Sequence, residues 1–170
     1  LFTRSATIRE SIGDVKGLTA IYGNLVTTYT SLSQFDSAYK YQKLAVVFAE
    51  KTGVKNTMAQ VYANAATLLL KQNKAAEALV YEQKAIQLYT EMGDKVKIGN
   101  RYVSMASIYD QLKDSVNAEV YFNKAIDLAK EIKNKPLFQS AFSVRSAFYN
   151  KRGNYLSALD NYKIAVVYKD

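Results

Sequence analysis

Residues 102–125 read YVSMASIYDQLKDSVNAEVYFNKA and carry the pattern on which the whole chain is built. Tyr102, Ala106 and Tyr109 lie four and then three residues apart, so they share one face of a helix. The same spacing recurs on a second helix, at Ala118, Phe122 and Ala125. The segment QLKDS between the two patterns is short and polar, which is typical of a turn that joins two antiparallel helices.

Three sequence columns repeat every forty residues without an insertion. Two of them hold alanine in all four copies, and the third holds an aromatic residue. The columns consist of Ala38, Ala78, Ala118 and Ala158; Ala45, Ala85, Ala125 and Ala165; and Tyr22, Tyr62, Tyr102 and Phe142. Each helix pair of such a repeat leaves one apolar face that the next pair covers. The period therefore predicts a stacked array of helix pairs.

The composition excludes several classes of function. The chain of 170 residues has no cysteine and no histidine, and its net charge is +8. Zinc-thiolate sites, cysteine nucleophiles and histidine bases are therefore ruled out, and no metal or cofactor is expected. No apolar run approaches the roughly 20 residues that a membrane span needs. The positive charge favours an acidic partner, and no specific nucleic-acid recognition is expected.

The period divides the chain into a truncated repeat and four complete ones. We expect a lone second helix over 1–13, consistent with a fragment, and complete repeats over 14–53, 54–93, 94–133 and 134–170. The spacing predicts first (A) helices over 15–32, 55–72, 95–112 and 136–152. Second (B) helices are predicted over 35–51, 75–92, 115–132 and 155–169. About nine helices would thus form one continuous array, because no linker interrupts it.

Two further columns mark the joints between repeats. Glycine accepts the left-handed conformation that ends a helix, and Asp or Asn caps the next helix. The glycines are Gly13, Gly53 and Gly93, where Lys133 breaks the column, and the capping residues are Asp14, Asp94 and Asn134. On the last helix Leu156, Leu159 and Val166 are expected to be partly exposed, so an end-to-end or homodimeric contact is one option.

The pattern resembles the tetratricopeptide repeat (TPR), because residues 102–125 match its large-small-Tyr and Ala-aromatic-Ala positions. The forty-residue period is similar to the long-helix subclass of kinesin light chains, Pins-type adaptors, Rap-type regulators and bacterial sensor proteins. Departures occur at Gln42, Glu82, Arg145 and Ser146. The resemblance implies an all-α, right-handed α-solenoid whose A helices line a concave, peptide-binding groove.

Carried over by position, the groove would consist of polar side chains on four A helices. They are Asn24, Thr27 and Thr30; Gln60, Asn64, Thr67 and Lys71; Asn100, Ser104, Ser107 and Gln111; and Ser143, Ala147 and Lys151. Asn24 and Asn64 stand where the long-repeat subclass carries a backbone-binding asparagine, although any exposed helix position can hold Asn. Their neighbours Ala20 and Ala63 argue against the lysine clamp of chaperone-binding relatives.

Three other groups of residues have two interpretations each. Arg145 in a core stripe needs a carboxylate or water, and it could instead contact an acidic ligand. Tyr41, Tyr81 and Tyr121 form a ladder for which packing between repeats is favoured over binding. Cations near the A-to-B turns could form a stripe, but lysine at a helix C-terminus is ordinarily solvated. These cations are Lys71, Lys74, Lys113, Lys151 and Arg152.

The sequence therefore predicts a non-catalytic scaffold that binds a protein or peptide along the A helices. No phosphate-binding loop, nucleophile elbow or pair of converging carboxylates occurs. The alternative is a sensory region of a larger bacterial signalling protein, such as a histidine kinase or a transcription regulator. Nucleic-acid binding is a third possibility and predicts steep salt dependence. A cytoplasmic location is slightly favoured, while an extracytoplasmic sensor stays open.

Overall fold

The computed structural model describes residue 9 and residues 12–167. Eight α-helices occupy these residues. They are α1 Val15–Ser31, α2 Phe35–Thr52, α3 Lys55–Lys71, α4 Ala75–Glu91, α5 Lys95–Gln111, α6 Ser115–Glu131, α7 Lys135–Lys151 and α8 Tyr155–Val167. Each lies where a helix was predicted, and their described bounds differ from the predicted ones by at most two residues. The predicted lone helix over 1–13 falls almost wholly outside the described residues.

The helices group into two compact units, residues 1–88 and 89–170. Unit 1 holds α1, α2, α3 and most of α4, and unit 2 holds α5 to α8. Within each unit, successive helices pack as neighbours, as short connections dictate. The repeat boundaries and the continuity of the array stay predictions.

Left-handed residues end the helices, as the glycine column predicted. Gly13, Gly53 and Gly93 have φ values of 67°, 64° and 69°. Lys133, which breaks that column, nevertheless adopts the same conformation with a φ of 52°. The A-to-B turns form a second left-handed series that the sequence analysis missed, because glycine appears there only once. It consists of Ser33, Asn73, Lys113 and Gly153.

Side chains cap the first turn of three A helices in the predicted column. The carboxylates of Asp14 and Asp94 accept hydrogen bonds from the backbone N–H groups of Gly17 and Lys97 at 2.9 and 3.0 Å. Asn134 accepts in the same way from Leu137 at 2.9 Å. Each bond satisfies a donor that the helix itself leaves free.

The core of unit 1 forms where alanines on α2 allow neighbouring helices to approach closely. Ala38 and Ala45 on α2 are fully buried, and Ala38 packs in a cluster with Val26 of α1 and Leu68 of α3. Gln42 occupies the position that is aromatic in the repeat pattern, and it is also buried. Its Nε2 donates to the carbonyl oxygen of Val61 at 3.1 Å. That bond satisfies the amide donor in the core, where an unsatisfied one would be costly.

The core of unit 2 repeats this arrangement with an aromatic residue in place of Gln42. Ala118, Phe122 and Ala125 on α6 are all 0% exposed. The ring of Phe122 meets that of Phe148 on α7 edge to face, with centroids 5.4 Å apart. Ser146, another departure from the pattern, donates its hydroxyl to the carbonyl of Ala158 at 2.7 Å. Both units therefore keep the predicted A–B contact.

The tyrosines of the ladder pack in the fold: their rings contact rings of their own helix pair, and Tyr41 and Tyr121 also pack against clusters that include Leu68 and Phe148 of the next repeat. Tyr41 stacks on Tyr22 and Tyr29, with ring centroids 6.1 and 5.4 Å apart. Tyr121 stacks on Tyr109 of α5 and contacts Tyr102 in a tilted arrangement. The rings of Tyr81 and Tyr62 are also tilted, with centroids 6.0 Å apart. The B-helix ring is therefore held by the A helix of its own repeat.

Helix α8 exposes apolar side chains, as predicted. Leu156, Leu159 and Val166 are 81%, 48% and 44% exposed. Among the described residues, no helix combines the length and apolarity that crossing a membrane requires.

Replacing Ala118 with Leu tests the A–B contact. Because Ala118 has no exposed surface, the added carbons should overpack the core and lower the free energy of unfolding by about 1–3 kcal/mol. Urea denaturation measures this loss. The same change at the exposed Ala147 should stay within about 0.5 kcal/mol, and equal stability of the two variants would contradict the contact.

Candidate functional site

An open pocket of about 610 Å³ lies between α1 and α3 in unit 1. The predicted groove residues Asn24, Thr27, Gln60 and Asn64 line it, so the structure brings them together. The same wall includes residues that the sequence analysis did not single out, namely Lys16, Asn56 and Thr57. Lys16 and Asn56 are equivalent positions of the repeat. They extend the row of Asn24 and Asn64 by eight residues, so helical spacing alone could have found them.

A second pocket of about 220 Å³ continues along the same two helices. It shares Thr27 and Asn64 with the first pocket and ends at Lys71. The predicted groove residues Thr30 and Thr67 also line it. We call the two pockets together the α1–α3 strip, which runs from Lys16 to Lys71.

The polar side chains of the strip already use part of their hydrogen-bonding capacity. Thr27 and Thr67 donate their hydroxyls to carbonyl oxygens one turn earlier, at 3.2 and 3.0 Å. Each hydroxyl oxygen keeps lone pairs for an external donor. Gln60 donates to Oδ1 of Asn64 at 3.2 Å. This bond uses the side-chain oxygen of Asn64, so its amide N–H groups can donate to a ligand. The strip can therefore both donate to and accept from a ligand.

The electrostatics of the strip are simple because its charged lining residues are two lysines. Lys16 lines the first pocket and Lys71 the second, and no Asp, Glu or aromatic side chain lines either pocket. Asn24, Gln60 and Asn64 between them are exposed and neutral. The strip thus has a neutral middle and a positive charge near each end.

The predicted site residues of α5 lie in unit 2. Asn100 is exposed, while Ser104, Ser107 and Gln111 are half-buried. Ser104 and Ser107 donate their hydroxyls to carbonyls of their own helix, each at 3.3 Å. On α7, Ser143 and Ala147 are exposed. Whether these residues extend a groove stays a prediction.

Arg145 has the carboxylate partner that one of its two interpretations required. One guanidinium nitrogen lies 3.0 Å from Oε2 of Glu119 on α6 and donates to the hydroxyl of Tyr149 at 3.3 Å. Burial raises the pKa of Tyr149, and its hydrogen bond to Glu119 raises it further. The carboxylate partner that a buried arginine requires is therefore supplied by the neighbouring helix.

Lys151 is likewise neutralised within unit 2. Its Nζ lies 3.1 Å from Oδ2 of Asp110, and Arg152 reaches the other oxygen at 2.6 Å. The guanidinium of Arg152 also stacks on the ring of Phe148. Burial raises the pKa of Asp110, but the hydrogen bonds from Arg152 and Lys151 outweigh it, so the net pKa is lowered. The cations that could have formed a basic stripe here tie α5 to α7 instead.

The described residues contain no group of three carboxylate, histidine or cysteine side chains that could hold a metal ion. The polar features of both units are thus amides, hydroxyls and individual charges. Such groups suit recognition by hydrogen bonds.

Sequence and structure comparisons identify similar proteins. A family model for soluble NSF attachment proteins (SNAP) matches residues 28–167, and no curated protein matches the sequence. BtubC (BKLC) from P. vanneervenii has a TM-score of 0.76 at 17% identity, with 99% of this chain and 78% of that one covered. A signal transduction ATPase with a tetratricopeptide repeat sensor, from Pyrococcus horikoshii, also has a TM-score of 0.76, at 22% identity.

Coverage differs among these solved structures. The alignment with the ATPase includes 88% of this chain and 23% of that one. A Rap protein, solved in complex with competence and sporulation factor, has a TM-score of 0.74 at 20% identity, covering 92% of this chain and 45% of that one. This chain thus spans less than half of either protein. The similarities confirm the predicted TPR resemblance and the all-α, TPR-type fold class.

Replacing Asp110 with Asn tests the ion pairs of unit 2. A carboxylate with a lowered pKa stabilises the fold above its unfolded-state value of 3.8, and this contribution disappears as pH falls through the folded-state pKa. At neutral pH the variant should therefore lose about 1 kcal/mol of unfolding free energy. The difference from the parent chain should shrink in acid.

Urea denaturation at pH 7 and below pH 3.8 measures this effect. Asp127→Asn is the matched control, because Asp127 is 77% exposed and its lysine partner is 3.8 Å away. A stability difference for Asp110→Asn that does not change with pH would argue against the proposed linkage.

Proposed function

Because the chain belongs to the soluble NSF attachment protein (SNAP) family of helical-repeat proteins, we propose that it is a scaffold that binds a segment of another protein or a peptide and performs no catalysis. The observation that carries the proposal is the α1–α3 strip. There, amide and hydroxyl side chains of two helices converge on open pockets of about 610 and 220 Å³.

The chemistry of the strip suits a polypeptide backbone. A peptide unit presents one N–H donor and one carbonyl acceptor. Asparagine can pair with both, and the threonine oxygens of the strip can accept from an N–H group. Because the strip has no aromatic lining, its affinity would come from the backbone more than from apolar anchors. The mechanism is thus recognition on a rigid helical surface.

Most of the residues that we propose as ligand contacts lie in unit 1. Asn24, Thr27, Gln60, Asn64, Thr67 and Lys71 lie in the strip. Asn100, Ser104, Ser107 and Gln111 are proposed as contacts of unit 2 by their position in the repeat. Arg145 and Lys151 are left out, because an acidic ligand group would have to displace Glu119 or Asp110.

The experiment is selection of short random peptides, displayed on phage, against the complete chain. We expect enriched peptides that bind the soluble chain measurably by fluorescence anisotropy. No enrichment above the empty support would contradict the proposal. The sensory alternative makes the same prediction for binding, so this experiment tests what the two functions have in common.

Replacing Asn64 with Ala should weaken the binding of a selected peptide about two- to tenfold, since one neutral hydrogen bond contributes roughly 0.5–1.5 kcal/mol. The thermal stability of the variant should hardly change, because the Asn64 side chain is exposed. Asn123→Ala on the exposed face of α6 is the matched control and should bind like the parent. Unchanged affinity of the Asn64 variant for the peptide would contradict the proposal that Asn64 contacts the ligand.

A further inference from the structure

We propose that the α1–α3 strip selects an extended peptide segment with one acidic side chain near each end and neutral residues between them. This inference rests on the proposed function and adds the chemistry of the ligand. It follows from the charge distribution, the repeat symmetry and the length of the strip.

The two lysines of the strip are available to a ligand. Lys16 and Lys71 are both exposed, and each lines a pocket without a carboxylate. Among the described residues, neither is within an ion-pair distance of an Asp or Glu side chain. A negative group that enters either pocket would therefore contact a lysine for which no described carboxylate competes.

The repeat explains why Lys71 is available. Lys71 and Lys151 are equivalent positions, eighty residues apart. In unit 2, Lys151 is paired with Asp110 at 3.1 Å. The position equivalent to Asp110 in unit 1 is Thr30, which lines the pocket beside Lys71. A threonine cannot neutralise a lysine, so the carboxylate that the second unit supplies internally is missing from the first.

The length of the strip fixes the spacing of the acidic groups. Lys16 is level with Asn56 in the repeat, and Lys71 follows Asn56 by fifteen residues. At about 1.5 Å per residue along a helix, the two lysines are separated by roughly 22 Å. An extended peptide advances about 3.3 Å per residue, so its acidic side chains should be about six to seven residues apart.

The neutral middle favours a peptide over a nucleic acid. Asn24, Gln60 and Asn64 offer hydrogen bonds and no charge. A nucleic-acid strand would place phosphates along this whole stretch, where no lysine or arginine lines the strip between Lys16 and Lys71. Its bases would also have no aromatic ring of the strip on which to stack. A peptide with charges confined to its ends matches the strip at every position.

Two displayed peptide libraries of equal composition test the inference on the complete chain. In one, two fixed Glu residues flank about six random residues, while in the other the two Glu are adjacent at one end. We expect enrichment from the first library. We also expect its selected peptides to bind the double variant Lys16→Gln, Lys71→Gln about fivefold more weakly than the parent, because two exposed ion pairs are lost.

The matched control is Lys40→Gln, Lys163→Gln, which removes the same charge from exposed positions outside the strip. This variant should bind like the parent chain. Equal enrichment of the two libraries, or equal losses in both double variants, would overturn the inference and leave the proposed scaffold function intact. Failure of both libraries would instead contradict the proposed function.

A single-stranded DNA oligonucleotide serves as the competing probe. We expect it to leave the selected peptide bound at physiological salt. Displacement of the peptide by DNA, with DNA affinity that depends on Lys16 and Lys71, would overturn the assignment of the strip to a peptide.

Discussion

Close approach of an A helix to a B helix through a pair of alanines is the contact on which the rest of this structure depends. Ala38 and Ala45 in unit 1, and Ala118 and Ala125 in unit 2, are all 0% exposed. A larger side chain at these positions would separate the two helices. The tyrosine rings, the buried Gln42 and the polar strip would all lose their positions with that separation. Residues with no functional group of their own therefore set the geometry of the residues that have one.

The helices and their ends could be predicted from the sequence because both are local. A capping Asp, a left-handed glycine and an apolar row of spacing three and four act within one or two turns. The forty-residue period then averages the signal over four copies. Lys133 shows how strong the period is, because it follows the glycine column in conformation although not in chemistry.

The partners of Arg145 and Lys151 could not be predicted in the same way. Glu119 and Asp110 lie on other helices, and nothing in their local sequence marks them as partners. The pairing depends on the rotation of each helix and on the reach of long side chains, which periodicity does not specify. Periodicity therefore indicates the helix face on which short amides and hydroxyls lie, but it does not indicate the partners of long cations.

The two left-handed turns of each repeat limit how this protein can change in length. A residue inserted into a helix rotates everything beyond it by about 100° and shifts it by about 1.5 Å. The alanines would then leave their facing helix, and the turn residues with positive φ, such as Asn73 and Lys113, would fall in the wrong place. Only a complete helix pair can be added or removed without such a rotation. Growth by whole repeats also lets one copy keep the ion pair between Asp110 and Lys151 while another carries Thr30 beside Lys71, so equivalent lysines can differ in whether a facing helix supplies a carboxylate.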